Sequence, residues 1–241
     1  MQFSIIIPAK NEIKNLQATL PQHEKLRGDF DFEVIVADGA STDGTIEFAQ
    51  GAGARVEAKT KKERETIGEG RNRGAAVARG EVLVFIDAGV RIKNPKEFFE
   101  TIVQLFKDNP SLVAAVPRVG IHPSEATTAD TLVHGAVNAI IHFFNAVGLG
   151  AGKGETQIIR REAFKKVGGY NERLVAAEDN DLMRRLARMG TTRFVSSLQV
   201  YDNPSRYRKL GYPHVIGLWI LNQLSVLFTG RSYSKEWKRV D

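Results

Sequence analysis

Short apolar runs alternate with stretches of helical periodicity in the first half of the chain, and this alternation restricts the fold more than any other feature. The runs FSIIIP, FEVIVAD, EVLVFID and LVAAVP are rich in β-branched residues and have the length of buried strands. Between them, NEIKNLQATL, GTIEFAQGAG and PKEFFETIVQLF repeat their apolar residues with a helical period. This order predicts an α/β fold with a mostly parallel central sheet flanked by helices.

Polar side chains follow three of these runs at the point where each predicted strand ends. Glu12 comes shortly after the first run, Asp38 closes the second, and Asp87 follows EVLVFI. Ligands of parallel sheets bind at the carboxyl ends of the strands. We therefore expect these side chains to meet at one edge of the sheet and to face one ligand.

Length, charge and cysteine content limit the classes of protein. A chain of 241 residues suits one large domain, and the regular alternation gives way to longer helices near residue 120. Cysteine is absent, which rules out disulfides and thiol nucleophiles and agrees with a reducing compartment. The net charge of +6 favours an anionic partner. No nucleic-acid recognition module is recognisable, so nucleic acid is not the expected partner.

Two glycine-rich stretches look like nucleotide-binding motifs, but their residues do not occur at the positions that these motifs require. GEGRNRG follows a charged run where a dinucleotide fingerprint needs a strand, and its third glycine is one position late. In GLGAGKGET, Val147 replaces the first glycine of a P-loop and Gly154 replaces its Ser or Thr. We interpret the second stretch as a flexible loop that brings backbone close to a ligand.

Four segments together resemble glycosyltransferase family 2, a family of inverting enzymes with a GT-A type fold. SIIIPAKNE, EVIVADGASTDGT, GRNRGAAVARGEVLVFIDAG and GGYNERLVAAEDNDLMRRLARMG occur in the order and rough spacing of that family, over about residues 3–200. The resemblance implies a UDP- or GDP-linked sugar donor lying across the first two strand ends, in residues 1–119. Residues 120–211 would then form the acceptor side, and 212–241 a helix with a basic tail.

The resemblance also implies roles for individual residues on the donor side. Pro8, Ala9 and Glu12 would line the nucleoside pocket, and Asp38 would accept a hydrogen bond from the base. The complete donor-binding set would be Pro8, Ala9, Glu12, Asp38, Arg71, Asn72, Asp87 and Ala88. As an alternative, Asp38 is a turn residue, Asn72 a helix cap and Arg71 a surface cation.

Asp179 is the candidate general base. It matches the family's Glu-Asp motif together with Glu178, which we place on the acceptor or diphosphate side. Sugar transfer needs an acceptor hydroxyl that loses its proton and a leaving diphosphate whose charge is neutralised. The same acids also fit a plain structural role, because carboxylates at a helix N-terminus are stabilised there.

The metal site that the resemblance implies is incomplete. The family usually has a second acid two positions after the first, but Gly89 stands there, two positions after Asp87. One explanation is a weakly bound Mg²⁺ or Mn²⁺ held by Asp87 and Asp202. The other is that cations, Arg71, Arg206 and Arg208, neutralise the leaving group. Metal assistance is slightly favoured.

The remaining charged and apolar segments have simpler interpretations. Lys59, Lys61, Lys62 and Arg64 are expected on a solvated face, and His134 and His142 in the core or on the surface. The segment YDNPSRYRKLGY is either a lid over the diphosphate or a connector. Residues 213–230 predict an amphipathic helix that packs on the domain, pairs with a second subunit, or lies on a membrane beside the tail KEWKRV.

The sequence therefore predicts a glycosyltransferase acting on an unidentified hydroxyl acceptor. The alternatives are a nucleotidyltransferase, which would leave Asp179 without a role, and a protein that binds a nucleotide sugar without turnover. The predicted location is the cytoplasm or the inner face of its membrane, and homodimer formation stays open.

Overall fold

The computed structural model describes residues 2–24, 26–60 and 65–236. The predicted basic residues Lys61, Lys62 and Arg64, and the tail beyond 236, lie outside this part of the chain. The described strands are β1 Phe3–Ala9, β2 Phe32–Asp38, β3 Arg55–Ala58, β4 Val82–Ile86, β5 Arg91–Ile92, β6 Leu112–Ile121, β7 Thr156–Arg160 and β8 Thr191–Asp202. The described helices are α1 Ile13–Thr19, α2 Pro21–Glu24, α3 Thr45–Gly51, α4 Ile67–Val77, α5 Pro95–Asp108, α6 Thr128–Ala146, α7 Arg161–Lys166, α8 Glu178–Ala187, α9 Ser205–Leu210 and α10 Tyr212–Thr229.

All of these strands belong to one sheet in the order β3-β2-β1-β4-β7-β6-β8-β5. β1 pairs in parallel with β2 and β4, and the pairs β2–β3 and β6–β8 are also parallel. β7 is inserted antiparallel between β4 and β6, and the short β5 pairs antiparallel with β8. The predicted mostly parallel sheet is confirmed, and its four predicted strands are β1, β2, β4 and β6.

Both faces of the sheet are buried, which explains the unbroken apolar runs. In β1, Ile5 and Ile7 belong to one core, together with Phe99 of α5. Ile6 points to the opposite core, which also contains Ile141 of α6. Successive side chains of a strand alternate between faces, so a strand with two buried faces is apolar at every position.

The C-terminal segment forms the predicted helix. α10 covers Tyr212–Thr229, and its buried side chains are Val215, Asn222 and Val226. Its first turns pack on Tyr207 of α9, whose ring stacks on Tyr212 at 4.9 Å. Packing on the domain is therefore confirmed for one side of α10. Among the helices of the described residues, none combines the length and the apolarity that crossing a bilayer requires.

Candidate active site

Several strand ends meet at one edge of the sheet. Ala9 is paired with Asp38 in register, so β1 and β2 end together. Asp87 follows β4, which is parallel to β1. Because β7 is antiparallel, its start lies at the same edge, and Asp87 N–H donates to Glu155 C=O at 3.0 Å. β8, parallel to β6, ends there at Asp202.

Arg71 lies at the centre of this edge and is fully buried, with 1% of its surface exposed. Its guanidinium donates to Glu178 Oε1 at 3.0 Å, to Asp87 Oδ1 at 2.9 Å and to Gly154 C=O at 2.6 Å. It also lies over the ring of Tyr170, 5.3 Å from the centroid. Arg71 thus joins α4 to the end of β4 and to the start of α8.

Glu178 and Asp179 begin α8, and the backbone before them is constrained. Ala177, the N-cap residue, has a left-handed φ of 66°, which non-glycine residues rarely adopt. Burial and the neighbouring Asp179 raise the pKa of Glu178 to about 7. Burial likewise raises the pKa of Asp179, against the hydrogen bond that its Oδ1 accepts from Asn180 N–H at 2.7 Å. Such raised values suit carboxylates that exchange protons near neutral pH.

Gly154 lies close to both Arg71 and Asp179, with little room for a side chain. A Cβ built on Gly154 would lie 3.4 Å from Arg71 Nη2 and 3.7 Å from Asp179 Oδ2. Earlier in the same loop, a Cβ on Gly150 would lie 2.4 Å from the carbonyl oxygen of Met183. Gly150 and Gly154 therefore let this loop approach α8 and Arg71, and its approach to a ligand stays a prediction.

A second group of charges adjoins Asp87, and two of its members, Lys153 and Glu155, were not predicted. Lys153 is buried and lies 3.1 Å from Glu155 and 3.4 Å from His134 Nδ1. Asp202 accepts a hydrogen bond from the Tyr207 hydroxyl at 3.1 Å, and burial and Glu155 raise its pKa to about 7. The letters GKGET contain Lys153 and Glu155, but nothing in their spacing places them beside two strand ends.

The predicted donor-side residues differ in their exposure to solvent. Pro8 is half-buried, and Ala9 and Ala88 are buried beneath the edge. Glu12 is half-buried and accepts from the Asn15 amide at 2.6 Å. Asp87 keeps 35% of its side chain exposed. Burial raises its pKa to about 6, in spite of Arg71.

Asp38 and Asn72 are engaged within the protein. Asp38 is fully buried, and its carboxylate accepts from the Ser41 backbone N–H at 2.9 Å and from the Ser41 hydroxyl. Asn72 donates to Tyr170 C=O and accepts from Tyr170 N–H, each at 2.9 Å. The turn role predicted as the alternative for Asp38 describes its contacts. The helix-cap alternative for Asn72 is wrong, because Asn72 lies inside α4, whose N-cap is Thr66, and its amide bonds the backbone of Tyr170 instead.

The three candidate cations for the leaving group are placed differently. Arg71 is paired with acids inside the protein, so its charge is already balanced. Arg208 pairs with Asp130 at the start of α6, with a 2.8 Å contact from Nη1 to Oδ1. Arg206 is partly buried, which lowers its pKa, while Tyr207 and Asp202 act in the opposite direction. Glu155 and Asp87 also act to raise the pKa of Arg206, so this cation lies within electrostatic reach of both groups of acids.

Among the described residues, side chains that could bind a metal ion come together in groups of two at most. Within the ranges that the structure describes, no group of three or more His, Asp or Glu side chains is arranged to hold a metal ion. Asp87 shares one oxygen with Arg71, and Asp202 is hydrogen-bonded to Tyr207. His134 contacts Lys153, and His142 stacks on Phe194 at 5.5 Å, so both have structural roles. These residues do not fit a self-sufficient metal site.

Comparison with known proteins was made by sequence and by structure. A succinoglycan biosynthesis protein, ExoA of Rhizobium meliloti (strain 1021), is 32% identical over 203 residues, which are 77% of this chain and 58% of that protein. The chain thus spans less than two thirds of this relative.

Two solved structures share the architecture. The mannosyltransferase PcManGT of Pyrobaculum calidifontis, in complex with GDP-Man and Mn²⁺, superposes with a TM-score of 0.66 at 18% identity, over 83% of this chain and 56% of that one. S. aureus TarS 1-349 in complex with UDP-GlcNAc superposes with a TM-score of 0.63 at 20% identity, over 84% and 58%. These similarities confirm the GT-A type fold. The sequence profile of glycosyl transferase family 2 matches residues 4–168, and the chain belongs to that family.

Proposed function

We propose that the protein is an inverting glycosyltransferase that moves a sugar from a nucleoside diphosphate to a hydroxyl acceptor. The observation that carries this proposal is the position of Asp179 at the start of α8, next to Glu178, which Arg71 joins to Asp87 at the end of β4. A carboxylate with a raised pKa thus lies at the edge of the sheet where such folds bind their ligands.

In the proposed reaction, Asp179 acts as general base. Its carboxylate takes the proton of the acceptor hydroxyl while the hydroxyl oxygen forms a bond to the anomeric carbon. The bond from that carbon to the diphosphate breaks on the opposite side, and its electron pair leaves with the diphosphate. One displacement inverts the configuration and needs no second carboxylate nucleophile.

The donor is proposed to be a UDP- or GDP-linked sugar. It would lie over the ends of β1 and β2, with Pro8, Ala9 and Glu12 along the nucleoside. The complexes of PcManGT with GDP-Man and of TarS with UDP-GlcNAc support this class of donor. Since Asp38 is fully buried and its carboxylate accepts from Ser41, a contact of Asp38 with the base requires the 38–41 turn to open.

Charge on the leaving diphosphate is proposed to be met by Arg206. A divalent cation would supply the same neutralisation, and the Mn²⁺ named with PcManGT supports one in related proteins. With only Asp87 and Asp202 as candidate ligands, the residues present do not fit that cation. We therefore derive no step through it, and Glu178 is assigned to holding Arg71.

Further features belong to the same proposal. The nucleotide-binding half is proposed as 1–119, the acceptor-side half as 120–211 and the C-terminal helix with its tail as 212–241, all within one domain. A cytoplasmic location agrees with the lack of cysteine. Pairing with a second copy is an alternative use of α10.

Binding of nucleotides separates this proposal from its alternatives. UDP, GDP and their glucose and mannose conjugates should raise the melting temperature, because a ligand of the folded state stabilises it. We expect one of the two nucleoside diphosphates to give a clear shift and ATP none. A shift with ATP and release of pyrophosphate would favour a nucleotidyltransferase, and a donor shift without any nucleotide release would favour a binding protein.

A further inference from the structure

Helix α6 turns its apolar side to solvent. Its exposed stripe contains Leu132, Ile140, Phe143 and Val147, which are 68%, 55%, 61% and 51% exposed. The spacing of the last three residues, at positions three and four apart, is that of a helix face that normally meets a core. Much of the face that does meet the protein is polar, and its buried side chains are Asp130, His134, Asn138, Ile141 and Asn145.

Helix α10 also exposes apolar side chains and buries a polar one. Its exposed apolar side chains are Ile220 53%, Leu221 45%, Leu224 47%, Leu227 57% and Phe228 83%. They form one stripe along the helix, whereas Asn222 is buried on the other side. The sequence of α10 contains no Asp, Glu, Lys or Arg. An uncharged stripe of large apolar side chains is a surface that a partner is expected to cover.

The two helices begin side by side. Asp130, in the first turn of α6, accepts hydrogen bonds from Arg208 and from the hydroxyl of Tyr212, the first residue of α10. The ring of His134 also lies 6.3 Å from that of Tyr212. At 19 and 18 residues, each helix is about 27 Å long. The N-termini of the two helices therefore lie next to each other.

Cations bracket α10 on both sides. Lys209 precedes it in an exposed position, and Arg231 and Lys235 follow it in exposed positions. Tyr233, also after the helix, is 60% exposed. A second copy of the chain would bring cations against cations, which disfavours self-association of this surface. An anionic lipid surface offers both apolar depth and opposite charge.

We propose that α6 and α10 seat the protein on an anionic lipid bilayer, lying in the interface with their apolar stripes inserted. The arrangement is tied to the candidate active site. Trp219 of α10 lies 5.8 Å from the Lys153 ammonium, and Gln223 accepts from Arg184 of α8 at 3.3 Å. Seating α10 therefore places α8, which carries Asp179, close to the bilayer.

Vesicle co-sedimentation tests this inference without any sugar donor. The full chain should pellet with vesicles of phosphatidylcholine and phosphatidylglycerol, and less with phosphatidylcholine alone or in high salt. The double variant Leu227→Glu with Phe228→Glu, and separately Phe143→Glu, should each lower the partition coefficient at least tenfold. Both sets of residues are exposed, so the melting temperatures of the variants should equal that of the wild type.

The matched control is Lys107→Gln on α5, across the sheet from α6. It lowers the net charge by one unit, as Phe143→Glu does, and should keep vesicle binding. Wild-type pelleting that Phe143→Glu and the double variant leave unchanged would overturn the proposal. So would a dimer in light scattering that these variants dissociate while no vesicle binding occurs. Because no nucleotide is present, either result is independent of the proposed transferase activity.

Discussion

Arg71 Nη1 donates to Glu178 Oε1 at 3.0 Å, although the two residues are 107 positions apart in the sequence. Both side chains are buried, with 1% and 8% of their surfaces exposed. A buried pair contributes mainly through what is left when one partner is removed, because an unpaired charge away from water is costly. This contact fixes α8, and with it Asp179, against the sheet.

Arg71→Met should therefore destabilise the fold strongly. It leaves Glu178 without its cation and removes one from Asp87, at a cost of roughly 3–5 kcal/mol in the free energy of unfolding. Urea denaturation measures this loss. The control is Arg79→Met. The Arg79 side chain is 68% exposed, and Glu33 keeps its hydrogen bonds from the Ser4 hydroxyl and from the backbone N–H of residue 79, so this change should cost at most about 1 kcal/mol. Equal losses would contradict a central role for Arg71.

The stability should fall as the pH rises through the range where Glu178 ionises. Its pKa is raised from 4.5 to about 7 in the fold by burial and by Asp179. Between these values the folded state holds a proton that the unfolded state has lost, so rising pH favours unfolding.

Glu178→Gln removes this ionisation. Between the two pKa values, the free energy of unfolding of this variant should therefore fall by about 2–3 kcal/mol less than that of the wild type. Urea unfolding at a series of pH values checks it, with the exposed Glu47→Gln as control. An unchanged slope in Glu178→Gln would show that Glu178 ionises normally.

Arg206 and Arg208 should have separable roles. Arg206→Gln removes the cation beside Asp202 and should weaken binding of UDP or GDP about tenfold, as expected for a charged hydrogen bond. Arg208→Gln should leave that affinity intact and lower stability instead, because Arg208 pairs with Asp130. Calorimetric titration and melting measure the two effects, and equal affinity losses would refute the assignment.

Gly89→Asp should create a stronger site for Mn²⁺. A Cβ at Gly89 would lie 3.6 Å from its nearest neighbours, in Asn15 and Asn203, so the side chain fits. It adds a carboxylate near Asp87 and Asp202, and the affinity for Mn²⁺ in the presence of UDP should rise at least about tenfold. The uncharged Gly89→Asn is the control. Equal Mn²⁺ affinity in both variants would mean that a carboxylate at position 89 does not bind the cation.

The strands and their ends were predictable because strand length and β-branched content are local properties. FSIIIP, FEVIVAD and EVLVFID appear as β1, β2 and β4, with Asp38 and Asp87 at their ends. The antiparallel entry of β7 was not predictable, since its five residues carry no signal of direction. That entry alone brings Glu155 beside Asp87. For this reason Lys153 and Glu155 were missed, although Asp202 of the same group was predicted.

Burial was harder to predict than secondary structure. The stretch GRNRG gives no indication that Arg71 is buried, because its partners Glu178 and Asp87 come from distant segments. For α6 and α10, apolar periodicity identifies two faces of each helix but not which face meets the protein. The polar faces with Asn138 and Asn222 are the buried ones, which only the tertiary structure reveals.

The central claim is that Asp179 takes the acceptor's proton, and one comparison tests it most directly. Nucleotide release from UDP- and GDP-linked sugars would be measured for the wild type, Asp179→Asn and Asp181→Asn, with binding of UDP and GDP followed by calorimetry. Asp181 also lies in the first turn of α8 but pairs with Arg185. The account predicts that Asp179→Asn binds nucleotide normally and loses release by about 100-fold or more, while Asp181→Asn stays near wild type. Wild-type release in Asp179→Asn, or equal losses in both variants, would contradict it.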